Sequence, residues 1–227
     1  MTPTVASRQA DDVTKQATRA AAIVGVAEHG NSAELVTVGL DRTLLDRRRI
    51  DLTRDLPTHP YHHEGSWAVG RYASSPWARS ISLTDAVALV QRVHEAAARG
   101  AREGLEGLAA AVPVPIAGVA IRACAELPPT IEARITDTRS ANVADSVMYR
   151  QALAAAAQAR GWAVHWYDRS RVLDEAAAAL GREDIDALLT AMGRSIGPPW
   201  QAKHKLAAAA ALAAGAALAR PTASERS

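Results

Sequence analysis

Hydrophobic and polar positions alternate along this chain in more than one rhythm. Between residues 21 and 52, short apolar runs (Ala21–Val26, Glu34–Gly39 and Leu44–Leu52) are separated by His29–Gly30–Asn31–Ser32 and by Leu40–Asp41–Arg42. Runs of this length between turn-forming residues read as strands, and three so close together predict an antiparallel meander. From Leu83 the period becomes helical: Leu83, Val87, Val90, Ala97, Ala101, Leu105 and Leu108 repeat on one face as far as about residue 111. Ser82 with Asp85 is a variant capping box at its start, and Pro113 and Pro115 stop it.

Ile116–Cys124 reads as a buried strand, Ala144–Arg160 as a second helix closed by Gly161, and Trp162–Tyr167 as a fifth strand. Asp168 or Ser170 caps a helix running to Leu180, with Gly181 as its C-terminal glycine. A short helix follows over Glu183–Met192. After the break at Gly197–Pro198–Pro199, Trp200–Ala219 reads as the last helix.

This order predicts an α/β fold: a five-stranded mixed sheet with a β-β-β meander, then α-β-α-β and C-terminal helices. Strands separated by long helices need crossovers, so the later strands pair in parallel. One domain is expected over residues 21–220, after a flexible N-terminal tail (1–20) and before a disordered C-terminus (221–227). Residues 53–81 form a long segment rich in His, Pro and aromatics, and loops of that length are usually functional.

Charge and cysteine content narrow the picture. The net charge of +2 gives little overall drive toward polyanions, so any nucleic-acid contact must be local, as at Arg47–Arg48–Arg49. That run equally fits an exposed strand with charged positions outward. Cys124 is the sole cysteine, so no internal disulfide forms, and a reducing, cytoplasmic setting is expected. The first twenty residues have no apolar core like that of a secretion signal. Leu206–Leu218 is too short for a membrane helix, which needs about 20 apolar residues.

Three groups of residues could carry chemistry. The first is Glu28, His29, Glu126, Asp145 and His204, acids and imidazoles at or near element ends. Each also has a plain structural reading: a turn residue, a surface acid, a helix cap or a buried histidine. The second is His59, His62, His63 and Glu64, four potential ligands in six residues, whose spacing fits no standard zinc pattern. The third is Arg139, Arg150, Lys203 and Lys205, near Tyr149 and Trp200; such cations hold phosphate and such rings stack on bases, or they form ordinary salt bridges. A glycine-rich phosphate loop, a GxSxG elbow and an HExxH helix are all missing from the sequence.

Ile23–Gly30 (IVGVAEHG) resembles the first strand of a Holliday-junction resolvase of the ribonuclease H-like superfamily. Ala202–Ala213 (AKHKLAAAAALA) resembles the last helix of those enzymes. The LPTHPYHHEG and PPWQAKHK segments also resemble marks of a widespread bacterial protein family that implies no particular activity. The resolvase resemblance implies a ribonuclease H-like fold in which the first strand, the fourth strand and the last helix bring their ends together. It also implies a magnesium- or manganese-dependent nuclease acting on structured nucleic acid.

Under that resemblance Glu28, Glu126 and His204 would hold metal, His29 would assist proton transfer, Asp145 would be an accessory acid, and Lys203 and Lys205 would touch phosphate. The chain departs from the pattern where those nucleases carry an Asp on the first strand, here Ala27–Glu28–His29. On the first helix only Asp85 or Glu95 could supply an acid, and the last helix offers His204. A non-catalytic module binding nucleic acid or protein on the same fold is the alternative. A nucleotide-binding lobe of the actin-like kinase type is a third reading, weakened by the missing phosphate turn. The oligomeric state is open.

Overall fold

Residues 21–62 and 81–218 are described by a computed structural model of the chain. The tail 1–20, the stretch 63–80 with His63 and Glu64, and residues 219–227 lie outside the described residues.

The apolar run at residue 22 becomes β1 (Ala22–His29), followed by β2 (Ser32–Gly39) and β3 (Leu44–Asp51). The β1–β2 turn passes through Gly30 at φ 56° and the β2–β3 turn through Arg42 at φ 74°. Next come α1 (Leu83–Ala111), β4 (Ile116–Arg122), α2 (Ile131–Thr136), α3 (Thr138–Ala159) and β5 (Ala163–Tyr167). The chain ends with α4 (Val172–Leu180), α5 (Ile185–Ile196) and α6 (Ala202–Leu218).

The five strands form one sheet in the order β3-β2-β1-β4-β5. The β1–β2 and β2–β3 pairs are antiparallel, whereas β1–β4 and β4–β5 are parallel. This is the expected meander joined to a parallel half. β1 sits at the centre because its run is apolar on both faces; Ala22 to Ala27 are all buried.

Side-chain alternation sorts the core into two layers. Val24, Val26, Leu35 and Ile121 face α1 and α3. Ile23, Ala27, Val36 and Ala120 face α4, α5 and α6. β3 is an edge strand, and its charges discourage pairing with another chain. The arginines there are engaged internally. Arg47 donates to the carbonyls of Gly197 (2.8 Å) and Pro199 (2.5 Å), Arg48 pairs with Asp46 at 2.7 Å, and Arg49 lies 3.6 Å from Asp51. The Arg47–Arg49 run therefore secures the turn before α6 and the edge of the sheet.

Several element boundaries moved from their sequence positions. α3 starts at Thr138, six residues before the Ala144 expected, and is capped by Asp137, which accepts from Ser140 N at 2.9 Å. The short α2, capped by Thr130, was not foreseen. α5 starts at Ile185 behind its N-cap Asp184 and runs to Ile196, where Gly197 ends it, and α6 begins two residues later than expected. No helix among the described residues is long and apolar enough to cross a membrane.

Candidate nucleic-acid interface

The C-terminal ends of β1, β4 and β5 open onto a cavity of about 610 Å³ closed on one side by the start of α6. Sheet register decides which side chains enter it. Gly25 pairs with Ala120, so Ala27 and Arg122, each two residues further on, share the α6 face of the sheet. Arg169 follows β5, and Lys203 and Lys205 come from the first turn of α6; all line the cavity with Ala27, Arg122 and Tyr167. Tyr167 is fixed by its hydroxyl, which donates to the Val26 carbonyl at 2.9 Å. The tip of β1 and the start of α6 thus meet in one place.

Glu28 borders this cavity, but its carboxylate turns to the opposite face of the sheet. It shares the parity of Val24 and Val26, and there α3 presents Arg150. Arg150 Nε donates to Glu28 Oε1 at 2.6 Å, its Nη2 pairs with the same oxygen, and its Nη1 donates to the Ala123 carbonyl at 3.0 Å. Both side chains are buried, 7 % exposed for Glu28 and 6 % for Arg150. Arg150, read from sequence as a phosphate contact, is occupied by this pair.

His204 is buried on the other face. Gln201 N–H donates to its Nδ1 at 2.9 Å, which leaves the ring proton on Nε2, 3.2 Å from Glu34 Oε2. Burial holds its pKa below the usual value, with Glu34 opposing that shift only in part, so the ring is neutral. Burial alone would raise the Glu34 carboxyl. The hydrogen bond and charge of Lys203, with the hydrogen bond from His204, outweigh it and leave the pKa lowered. Lys203 Nζ lies 2.6 Å from Glu34 Oε1, so Glu34 fixes both side chains at the mouth of the cavity.

Glu34 was missed from sequence because nothing in a strand pattern distinguishes a buried acid on β2. Arg122 and Arg169 were also missed. Arg122 could have been found, since it ends β4 on the same face as Ala120.

His29, exposed at the end of β1, stands on the cavity wall beside Glu28. The remaining candidates lie apart: Glu126 is exposed in the loop after β4. Arg139 is exposed in the first turn of α3 and is not part of the cavity wall. Tyr149 is buried, with its hydroxyl on the Thr58 carbonyl at 2.9 Å. Trp200 stacks on His204 with ring centroids 5.8 Å apart. Both rings read as base-stacking platforms are therefore structural.

Asp145 is no helix cap: it lies two turns inside α3 and is buried. It anchors the histidine-bearing segment, accepting from Tyr61 N at 3.0 Å with His59 Nδ1 at 3.7 Å. Burial pushes its pKa up to about 7, against the lowering effect of the backbone amides of Tyr61 and His62. The native state therefore keeps this proton up to about pH 7, whereas the unfolded chain releases it near 3.8. Stability falls as pH rises between those values and levels off above them.

Replacing Asp145 with Asn keeps an acceptor and removes the charge. The variant should be stabilised by about 2 kcal/mol at pH 8, less than the ~4 kcal/mol that a three-unit shift represents, because charge-assisted hydrogen bonds are lost. Denaturant melts at several pH values measure this, and the gain should vanish toward pH 4.

These residues do not fit a divalent ion. Among the described residues, no three His, Cys, Asp or Glu side chains gather where they could hold one. The Glu28 carboxylate is closed by Arg150, both His204 nitrogens are in use, Glu126 stands in an outer loop, and Asp145, on α3, is taken up by the Tyr61 amide. Cations outnumber acids in the cavity: Arg122, Arg169, Lys203 and Lys205 line it together with Glu28 and Asp186. Lys203 and Lys205 are shared with Glu34 and Asp186 at 2.6 and 2.7 Å, while Arg122 and Arg169 make no side-chain hydrogen bond or ion pair among the described residues.

No protein-family model matches the chain, and no curated protein matches it in sequence. Solved structures similar to it include Thermus thermophilus RuvC in complex with Holliday junction substrate, and Thermus thermophilus RuvC. The first is 17 % identical with a TM-score of 0.46, the second 16 % identical with a TM-score of 0.43. Each comparison covers 87 % of this chain and 95 % of the other. The antiparallel β1–β3 meander, the parallel β1–β4–β5 half and the helices on both faces are the α/β arrangement with a five-stranded mixed sheet that the sequence predicts.

Proposed function

We propose that this chain is a nucleic-acid-binding protein that holds phosphate groups in the cavity at the strand ends and does not hydrolyse them. The observation that supports this reading best is the division of charge at the sheet. Cations line the cavity, while Glu28, whose carboxylate the metal-dependent nuclease reading needs, is closed off by Arg150 on the far face. Arginine and lysine grip phosphate without a metal ion, and such contacts carry most of the affinity for nucleic acid.

The test is a fluorescence-anisotropy titration of branched, duplex and single-stranded DNA in EDTA. Binding should weaken steeply with salt. Arg122→Ala and Arg169→Ala should each flatten the dependence of log K on log salt by about one unit. Gel assays with magnesium or manganese should show the DNA intact. Cleavage that disappears in Glu28→Gln and His204→Ala proteins would instead establish the nuclease reading.

A further inference from the structure

β1 and β4 lie side by side in parallel, about 4.8 Å apart. At their ends the α6-facing positions are Ala27 and Arg122, and α6 adds Lys203. A hard divalent cation needs several oxygen ligands at roughly 2.0–2.6 Å. This convergence offers a methyl group, a guanidinium and an ammonium.

The ammonium is not loosely placed. Lys203 is held by Glu34, Glu34 by His204, and His204 by the Gln201 amide. Glu28 neither attracts an ion nor competes for Arg122, because Arg150 neutralises it behind the sheet. We infer that Arg122 and Lys203 are built-in cations at the strand ends, and that a phosphate group of the ligand binds between them with no divalent cation. Only the ligand's identity as nucleic acid rests on the function proposed above.

Manganese titrations followed by electron paramagnetic resonance, with pyrophosphate and DNA as separate probes, test this on the intact chain. The native protein should show no saturable manganese site, and it should bind pyrophosphate equally well in EDTA and in magnesium. Arg122→Gln should weaken pyrophosphate at least about tenfold, the loss of one charge-assisted contact to phosphate. Ala27→Asp with Arg122→Glu puts carboxylates on neighbouring strands and should create a manganese site at least about tenfold tighter than any in the native protein.

If thermal melts show that this double variant does not fold, the native and Arg122→Gln titrations decide alone. A saturable manganese site in the native protein, or pyrophosphate binding that requires magnesium, overturns the inference. So does a native protein that binds no pyrophosphate. Pyrophosphate binding in EDTA without DNA binding leaves the inference standing and removes the proposed function.

Discussion

Replacing Arg150 with alanine should destabilise the fold by about 3–5 kcal/mol, the range for breaking one side of a buried ion pair. The side chain that remains is Glu28, 7 % exposed and with its carboxylate in a space that α3 and the end of β4 shield from water. A surface ion pair would cost far less, about 0–1 kcal/mol, so the size of the effect reports directly on burial. Urea melts of the native protein, Arg150→Met, Glu28→Gln and the double Arg150→Met with Glu28→Gln complete a cycle, with Arg150→Ala measured beside it.

The double replacement should recover most of the loss, because a neutral amide beside an apolar chain leaves no unpaired charge. An Arg150→Ala loss near 1 kcal/mol would place the pair in solvent and return Glu28 to the candidates for a ligand. The prediction thus bears on function as well as stability: the free energy that fixes Glu28 behind the sheet is also what keeps it from an ion.

The strands were legible in the sequence because apolar runs between turn residues have few other uses, and the helical period of α1 was unambiguous. The start of α3 was not, because Thr138–Val143 is polar and exposes no repeating face until the helix meets the sheet. Its cap, Asp137, precedes a helix that the pattern placed later. The same error made Asp145 look like a cap, when it is an acid inside the helix holding the Tyr61 amide.

For the site, the meeting of β1 with α6 follows from element order, but the direction of each side chain depends on register. Ala27 and Glu28 are adjacent in sequence and lie on opposite faces, so a reading that takes the acid nearest the strand end selects the residue aimed away. Arg122 and Arg169 went unremarked for a related reason. A lone arginine after an apolar strand is ordinary until a parallel neighbour places it beside the same opening. The masses of alanine in α6 were legible as a packed helix, but their purpose depends on a single residue of β1.

That residue is Gly25. A Cβ built there would lie 1.7 Å from the Ala207 carbonyl oxygen and 3.1 Å from its Cα. The obstacle is helix backbone, which no rotamer change can move aside. Ala207, Ala208, Ala210 and Ala211 are buried, and these small side chains let α6 settle against the centre of the sheet at this distance. Gly25→Ala must therefore lift α6 away, and should cost at least about 3 kcal/mol, at the upper end for overpacking.

A second consequence separates this from a general loss of stability. α6 carries Lys203 into the cavity and His204 against Glu34, so the displaced helix should weaken phosphate binding even under conditions where the variant is fully folded. Gly107→Ala is the control. Gly107 is exposed in α1, its added Cβ meets nothing within 4 Å, and the change should be neutral or stabilising by up to about 1 kcal/mol. Equal melting points for the two alanine variants would mean that α6 does not rest on β1 as closely as the glycine implies. The shape of the cavity would then have to be rebuilt from a different helix position.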